Sequence, residues 1–172
     1  DSKFPVTITN LKITRGSGTS KSGKTYGGGI YISDINERLA LGDGALVTKN
    51  SAQYGGGIYN CGKLYLYGTA MVGMKTTELA TSSSYGNNAT VAGAGIYAAD
   101  YGQIYLGYSS TNNTPSELTG GVCGNYNAQM TLGNNNGGGI YLNGTTNMAK
   151  IEIASGNISY NYAIIGAGIY AI

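Results

Sequence analysis

The sequence predicts an all-β fold of the right-handed parallel β-helix (solenoid) class, formed as a single domain over residues 1–172. Three observations support this prediction. A five-residue glycine motif recurs along the chain, short segments alternate apolar and polar residues, and no segment shows the apolar period of a helix. We expect about five rungs, one per repeat, each with three short strands. Their approximate bounds are 5–35, 36–62, 63–102, 103–145 and 146–172.

The recurring motif reads Gly-x-Gly-Ile-Tyr. It occupies residues 27–31, 55–59, 93–97, 137–141 and 166–170. Consecutive copies start 28, 38, 44 and 29 residues apart, and such a period is typical of a solenoid, a propeller or an array. A four-stranded propeller blade needs about 40 residues, so the shortest interval favours a coil. The longer intervals indicate insertions that form surface loops, at 75–85, 108–115 and 129–136.

Each repeat begins with an alternating pair of aliphatic residues. The pairs are Val6 and Ile8, Leu39 and Leu41, Leu64 and Leu66, Ile104 and Leu106, and Ile151 and Ile153. Period-two alternation predicts a half-buried strand, and a second apolar position follows, as at Val47 and Val122. Parallel strands of neighbouring rungs lie about 4.8 Å apart, so equivalent residues of successive repeats are expected to stack in columns.

The motif itself predicts two of these columns. The isoleucines should point inward: Ile30, Ile58, Ile96, Ile140 and Ile169. The tyrosines should point outward and form an exposed ladder, joined by two tyrosines of the preceding strands: Tyr31, Tyr59, Tyr97, Tyr141, Tyr170, Tyr65 and Tyr105. This ladder is the candidate ligand or partner face, although stacking that only stabilises the sheet explains it better.

The outer glycines of the motif are predicted corner residues, with positive φ or a close backbone contact. They are Gly27, Gly29, Gly55, Gly57, Gly93, Gly95, Gly137, Gly139, Gly166 and Gly168. An asparagine precedes the motif in four repeats, at Asn50, Asn88, Asn125 and Asn161. Asparagine tolerates a left-handed bend and stacks its amide between rungs, so these residues are expected to form a further column.

Composition limits the partners that the chain can have. Its net charge is +2 and only 10% of its residues are charged, which argues against nucleic acid as a partner. No apolar stretch is long enough for a membrane span, and no signal segment is evident. Cys61 and Cys123 fall in different columns and are expected to remain unpaired. The glycosylation sequons at Asn88, Asn112, Asn143 and Asn157 are consistent with chance in a chain this rich in Asn, Ser and Thr.

The sequence contains no motif that predicts catalysis. It has no histidine, which removes the commonest general base. Asp34 and Asp100 occupy equivalent positions two rungs apart, roughly 9–10 Å from each other, and turn residues account for them better than a catalytic pair does. No calcium loop is present. We therefore expect no enzymatic activity, no metal site and no cofactor.

The glycine motif, the preceding Leu-x-Leu pairs and the Asn-x-Ala steps at 50–52 and 161–163 resemble bacterial surface β-helix repeat proteins. Repeats of polymorphic outer-membrane proteins and of autotransporter adhesin passengers are similar. The resemblance covers nearly the whole chain. It implies secretion and display at a cell surface.

Two functions fit these observations. The first is a non-catalytic, extracellular structural or adhesive scaffold. Its first and last rungs are expected to look like interior rungs, so copies of the chain are expected to stack head to tail as a filament through uncapped ends. The second is a carbohydrate-binding module that uses the tyrosine ladder. The expected partners are accordingly the chain itself, or glycans or proteins of a host or cell surface.

Overall fold

The fold is described from a computed structural model, which covers residues 6–76, 86–127 and 136–172. Within these ranges the chain forms 20 short strands and no helix. The strands wind through five successive rungs, and strands of neighbouring rungs pair in parallel. The all-β parallel solenoid predicted from the sequence is therefore confirmed.

The strands follow one another in the same order in the interior rungs, whereas the first rung has one additional strand and the fifth has no strand of sheet C. The first rung holds β1 (Val6–Ile8), β2 (Lys12–Ile13), β3 (Thr19–Lys21), β4 (Lys24–Tyr26) and β5 (Ile30–Ile32). The second holds β6 (Arg38–Leu41), β7 (Leu46–Val47), β8 (Ser51–Tyr54) and β9 (Ile58–Asn60). The third holds β10 (Lys63–Leu66), β11 (Met71–Gly73), β12 (Asn88–Ala92) and β13 (Ile96–Ala98). The fourth holds β14 (Gln103–Leu106), β15 (Gly121–Cys123), β16 (Tyr126–Asn127) and β17 (Ile140–Leu142), and the fifth β18 (Lys150–Ile153), β19 (Asn157–Ser159) and β20 (Ile169–Ala171).

These strands form four sheets that run along the coil. Sheet A contains β1, β6, β10, β14 and β18, and sheet B contains β2, β7, β11, β15 and β19. Sheet C contains β3, β4, β8, β12 and β16, and sheet D contains β5, β9, β13, β17 and β20. Interior rungs therefore have four strands, one more than predicted. The additional strand is that of sheet C, such as Ser51–Tyr54, where only Ala52 is fully buried and no pair of aliphatic residues marks the strand.

The core is built from the columns that the repeat predicts. In sheet A, Leu39 aligns with Leu64, which aligns with Ile104, and all three are buried. In sheet D the motif isoleucines align in one register and point inward. Ile58, Ile96 and Ile140 are 0% exposed, whereas Ile169 in the last rung is 39% exposed. Burial of equivalent apolar residues in every rung supplies the main stabilising term of the fold.

The first rung differs from the interior rungs. Its β3 pairs antiparallel with β4, with Thr19 opposite Tyr26 and Lys21 opposite Lys24. This hairpin occupies the outer edge of sheet C, where an interior rung would continue the parallel pairing. The expectation that the first rung looks like an interior one is therefore wrong. The repeat pattern does not predict this hairpin, because the hairpin lies in a segment without an alternating pair of aliphatic residues.

One predicted insertion lies within the described residues. Tyr108 and Pro115 form an antiparallel bridge, and the Ser109 amide donates to the Thr114 carbonyl at 2.9 Å. Residues 111–115 are exposed, as expected of a surface loop. The insertions predicted at 75–85 and 129–136 lie mostly outside the described residues. Cys61 and Cys123 are both free thiols. No helix in the described ranges is long and apolar enough to cross a bilayer.

Candidate functional site

A column of buried asparagines runs along the corner between sheets B and C. Its members are Asn50, Asn87, Asn125 and Asn161, all at most 4% exposed. In each interior step the backbone amide and the side-chain Nδ2 of one asparagine donate to Oδ1 of the next. From Asn87 to Asn125 both bonds measure 3.0 Å, and from Asn125 to Asn161 they measure 3.0 and 2.9 Å. The side chains thus form a continuous hydrogen-bonded ladder.

The ladder also ties each rung to the preceding one. Nδ2 of Asn87 donates to the Val47 carbonyl at 2.9 Å, and Nδ2 of Asn125 donates to the Val72 carbonyl at 3.0 Å. At its N-terminal end, Oδ1 of Asn50 accepts the Gly16 amide at 2.9 Å. Every described amide group in the interior of the column is therefore satisfied, as burial requires.

The sequence placed Asn88 in this column, and that assignment is wrong by one residue. Asn88 begins β12 and aligns with Ser51 and Tyr126. Asn87 is the member that bonds with Asn50 and Asn125. Two adjacent asparagines follow an insertion here, so the spacing that identifies the column in other repeats is lost.

The two outer glycines of the motif have different structural causes. The first has positive φ in every copy, between 59° at Gly27 and 68° at Gly137, and this conformation favours glycine. The third does not. A Cβ on Gly57 would lie 2.7 Å from Nδ2 of Asn87 and 2.6 Å from the Gly95 carbonyl oxygen. Gly29, Gly95 and Gly139 likewise face a ladder asparagine, so the third glycine of these four copies makes room for the ladder. The corner role predicted for Gly168 is wrong, because its φ is not positive and a Cβ there would meet only Ile158, at 3.7 Å.

The motif tyrosines stack on one another along sheet D. Ring centroids lie 5.2 Å apart for Tyr31–Tyr59 and Tyr59–Tyr97, and 4.8 Å apart for Tyr97–Tyr141. The planes of these pairs lie within 9° of parallel. Tyr170 continues the column at 5.2 Å with a 34° tilt. Tyr26 and Tyr54 form a second stack at 5.3 Å beside it, which the sequence reasoning missed because the two lie in sheet C.

Stacking removes the ring faces from solvent. Tyr97 and Tyr141 are only 8% and 9% exposed, and Tyr31, Tyr59 and Tyr170 are partly buried. The expectation of an exposed ladder is therefore wrong for the interior of the column. A sugar ring stacks on the face of an aromatic ring, and here the faces of the interior rings already contact neighbouring rings. These tyrosines point outward from the coil but are packed as a small apolar cluster.

Tyr65 and Tyr105 are also buried, at 2% and 5% exposed, in a stack with centroids 4.7 Å apart. The 108–115 hairpin lies over them, with the Tyr108 ring 5.8 Å from that of Tyr105. Arg38 fixes the hairpin because its guanidinium donates to the Ser110 carbonyl at 3.0 Å and lies 5.7 Å from the Tyr65 ring centroid. The sequence did not indicate this packing.

Burial raises the pKa of several column tyrosines. It is the main cause of the raised pKa of Tyr59, with further contributions from Cys61 and neighbouring phenols. Burial likewise raises the pKa of Tyr97, Tyr141 and the Cys61 thiol. These groups are therefore neutral at physiological pH, which suits a packing role.

The two equivalent aspartates lie in turns. Oδ1 of Asp34 accepts the backbone amide and the Nδ2 of Asn36, at 2.8 and 3.0 Å. Gly62 stands between Asp34 and Asp100 in the register of sheet D, which leaves the two acids in separate rungs. No group of three or more Cys, Asp or Glu residues within the described ranges could hold a metal ion.

Comparison of the chain with protein-family models, with curated proteins and with solved structures finds no match. The resemblance to bacterial surface repeats therefore remains a prediction.

Proposed function

We propose that this chain is a non-catalytic structural scaffold that acts outside the cell or at a cell surface. The observation that carries the proposal is the asparagine ladder, with its bonds between Asn50, Asn87, Asn125 and Asn161. Side-chain ladders of this kind join successive rungs and rigidify the coil. Surface display is supported by the sequence resemblance, and the 108–115 hairpin supplies an exposed contact region on a fixed base.

Resistance to proteolysis tests the scaffold role. A scaffold held by the ladder should be cut by proteinase K only in exposed segments such as the 108–115 hairpin, because protease needs local unfolding to reach paired strands. Asn125→Ala is the matched control, since it weakens the ladder without changing the surface. The proposal would be contradicted if proteinase K cut the native chain within its strands as fast as it cuts the Asn125→Ala variant there. Mass spectrometry of the fragments locates the cuts.

Labelling of intact cells tests the location. Antibodies raised against the chain should stain unpermeabilised cells of the organism that makes it. Staining that appears only after permeabilisation would overturn an extracellular role and would leave the scaffold role unaffected.

Head-to-tail stacking of copies of the chain is the alternative assembly, and apolar side chains exposed at both ends of the coil favour it. Val6 and Leu11 are 62% and 51% exposed in the first rung, and Ile153 is 49% exposed in the last. The first rung opposes it, because β3 occupies the edge of sheet C. In a head-to-tail stack, Gly16 of the next copy would follow Asn161 in the asparagine column. Glycine has no side-chain oxygen, so it could not accept the Asn161 amide. We therefore expect a monomer in light scattering across a concentration series. Long uniform fibres in negative-stain images would contradict this expectation and would support head-to-tail stacking into a filament.

A further inference from the structure

A groove lies on the outer face of sheet B, away from the tyrosine columns. Two cavities of about 450 and 380 Å³ form it, and they share Thr69, Met71 and Lys75. The first reaches Lys12 in β2, and the second reaches Ser159 in β19. The groove thus crosses all five strands of the sheet, a length of about 19 Å at the usual spacing of parallel strands.

Two glycines lie in the central strands of sheet B. Val72 and Val122 point inward, so the residues beside them point outward. Gly121 aligns with Met71, and Gly73 aligns with Cys123. Sheet B therefore lacks a side chain at two register positions whose neighbours, Met71 and Cys123, line the cavities.

The groove is positively charged. Lys12, Lys49 and Lys75 line its wider cavity and are all exposed. None of them forms an ion pair with a described residue, because the ion pair within the described ranges joins Lys150 and Glu152. Neither cavity has a described Asp or Glu in its lining. Asp43 lies nearby, and its carboxylate accepts the Thr69 amide at 3.0 Å.

Beyond the shared Lys75, the other half of the groove is lined by uncharged residues, several of them polar. Its lining includes Thr119, Asn157 and Ser159, with Tyr160 at 44% exposure beside them. Hydroxyl and amide groups next to one exposed aromatic ring suit the hydroxyls and the apolar face of a sugar. The Thr48 hydroxyl, in the lining of the wider cavity, is buried and has no partner among the described residues.

We propose that this groove binds an anionic polysaccharide, with its carboxylate or sulfate groups held by Lys12, Lys49 and Lys75. Lysine is a point charge that suits such groups without demanding a bidentate geometry. A peptide strand is disfavoured, because the floor is the face of a sheet whose strands pair with each other and not an open edge. Single-stranded nucleic acid is disfavoured, because its recognition uses successive aromatic platforms and the groove offers a single tyrosine. The site is independent of the scaffold proposal.

The test measures binding of the full chain to four polymers by biolayer interferometry. Alginate carries carboxylates, dextran sulfate carries sulfates, dextran is neutral, and polyuridylate represents nucleic acid. We expect binding to alginate or dextran sulfate, none to dextran, and weakening as salt is added. Comparison of the first two identifies the anionic group. Stronger binding to polyuridylate, or no binding to either anionic polysaccharide, would overturn the proposal.

Matched variants locate the site. Lys12→Gln with Lys75→Gln removes two charges from the groove, and Lys21→Gln with Lys63→Gln removes two charges elsewhere. The groove variant should bind about 2- to 30-fold more weakly, as expected for two exposed ion pairs, and the control should bind like the native chain. Equal loss in both variants would show diffuse charge attraction and would refute the groove. Tyr160→Asn keeps the charge, and unchanged affinity in that variant would contradict the sugar contact.

Discussion

Substitution of Asn125 by alanine tests the most specific feature of the structure. Asn125 is 0% exposed. Its Oδ1 accepts both the backbone amide and Nδ2 of Asn87, and its own Nδ2 donates to the Val72 carbonyl. Alanine removes the side-chain amide and with it these three bonds. The Asn87 backbone amide then has no acceptor among the described residues, whereas Asn87 Nδ2 keeps its bond to the Val47 carbonyl. Each buried polar group left unpaired costs about 1–3 kcal/mol.

The expected loss of unfolding free energy is therefore about 1–3 kcal/mol, from the backbone amide left unpaired. A loss of this size is a large fraction of the total stability of a domain, which is commonly about 5–15 kcal/mol. Guanidinium unfolding followed by far-UV circular dichroism measures this loss. The slope of the unfolding free energy against guanidinium concentration should not change, because a changed slope would mean that the unfolding transition itself differs. Asn36→Ala, in an exposed turn, is the control and should change stability by less than about 0.5 kcal/mol.

A loss below about 1 kcal/mol at Asn125, with an unchanged slope, would refute the reasoning. It would mean that water or a shifted backbone satisfies the freed Asn87 amide, so that the ladder is not a rigid element.

Three further substitutions or conditions test other parts of the fold. Gly93→Ala should destabilise by about 1–2 kcal/mol, because its φ is +64° and a Cβ there lies 2.6 Å from the Ile96 carbonyl oxygen; Ala94→Gly should cost less than about 1 kcal/mol, and equal melting temperatures would contradict this contrast. Arg38→Gln should cost about 1–2 kcal/mol and speed amide hydrogen exchange in the 108–115 hairpin alone; unchanged exchange there would show that Arg38 does not hold it. Burial raises the pKa of Tyr59, Tyr97 and Tyr141 above 10.0, so their stabilising contribution is complete below pH 10 and is lost as the pH rises above it, when the unfolded chain releases protons that the native chain keeps. Guanidinium midpoints measured on both sides of pH 10 check this, and midpoints that do not fall would contradict it.

The sequence was sufficient for the core because each rung repeats the same residues in the same order. Leu39, Leu64 and Ile104 follow one another at repeat spacing, and parallel pairing then leaves a single register that buries all three. The inward column of isoleucines follows by the same argument. The pattern is local to each repeat, so the core residues follow from it without any distant contact.

The candidate site was harder to predict because its contacts are not periodic. Arg38 and Ser110 are 72 residues apart in the chain, and no pattern relates an insertion to the tyrosine pair that it covers. Alternation predicted that the tyrosines point outward, which does not determine whether they are exposed. A side chain of this size, repeated every 4.8 Å or so, contacts its own neighbours before it meets solvent. The prediction that the tyrosine ladder is exposed was therefore wrong, although the prediction that its side chains point outward was right.

Comparison of Asn161→Ala with Asn125→Ala shows whether the stability cost depends on the number of hydrogen bonds lost or on their burial. Its Oδ1 accepts the backbone amide and Nδ2 of Asn125, and its Nδ2 donates to the Val122 carbonyl at 2.8 Å. Asn161→Ala therefore removes the same three kinds of bond and leaves the Asn125 backbone amide without its acceptor. The last rung is more open, however, with Ile169 39% exposed, so water can reach the freed groups. A smaller cost at Asn161 than at Asn125 means that exclusion of water gives the ladder its strength; equal costs mean that the bonds alone do.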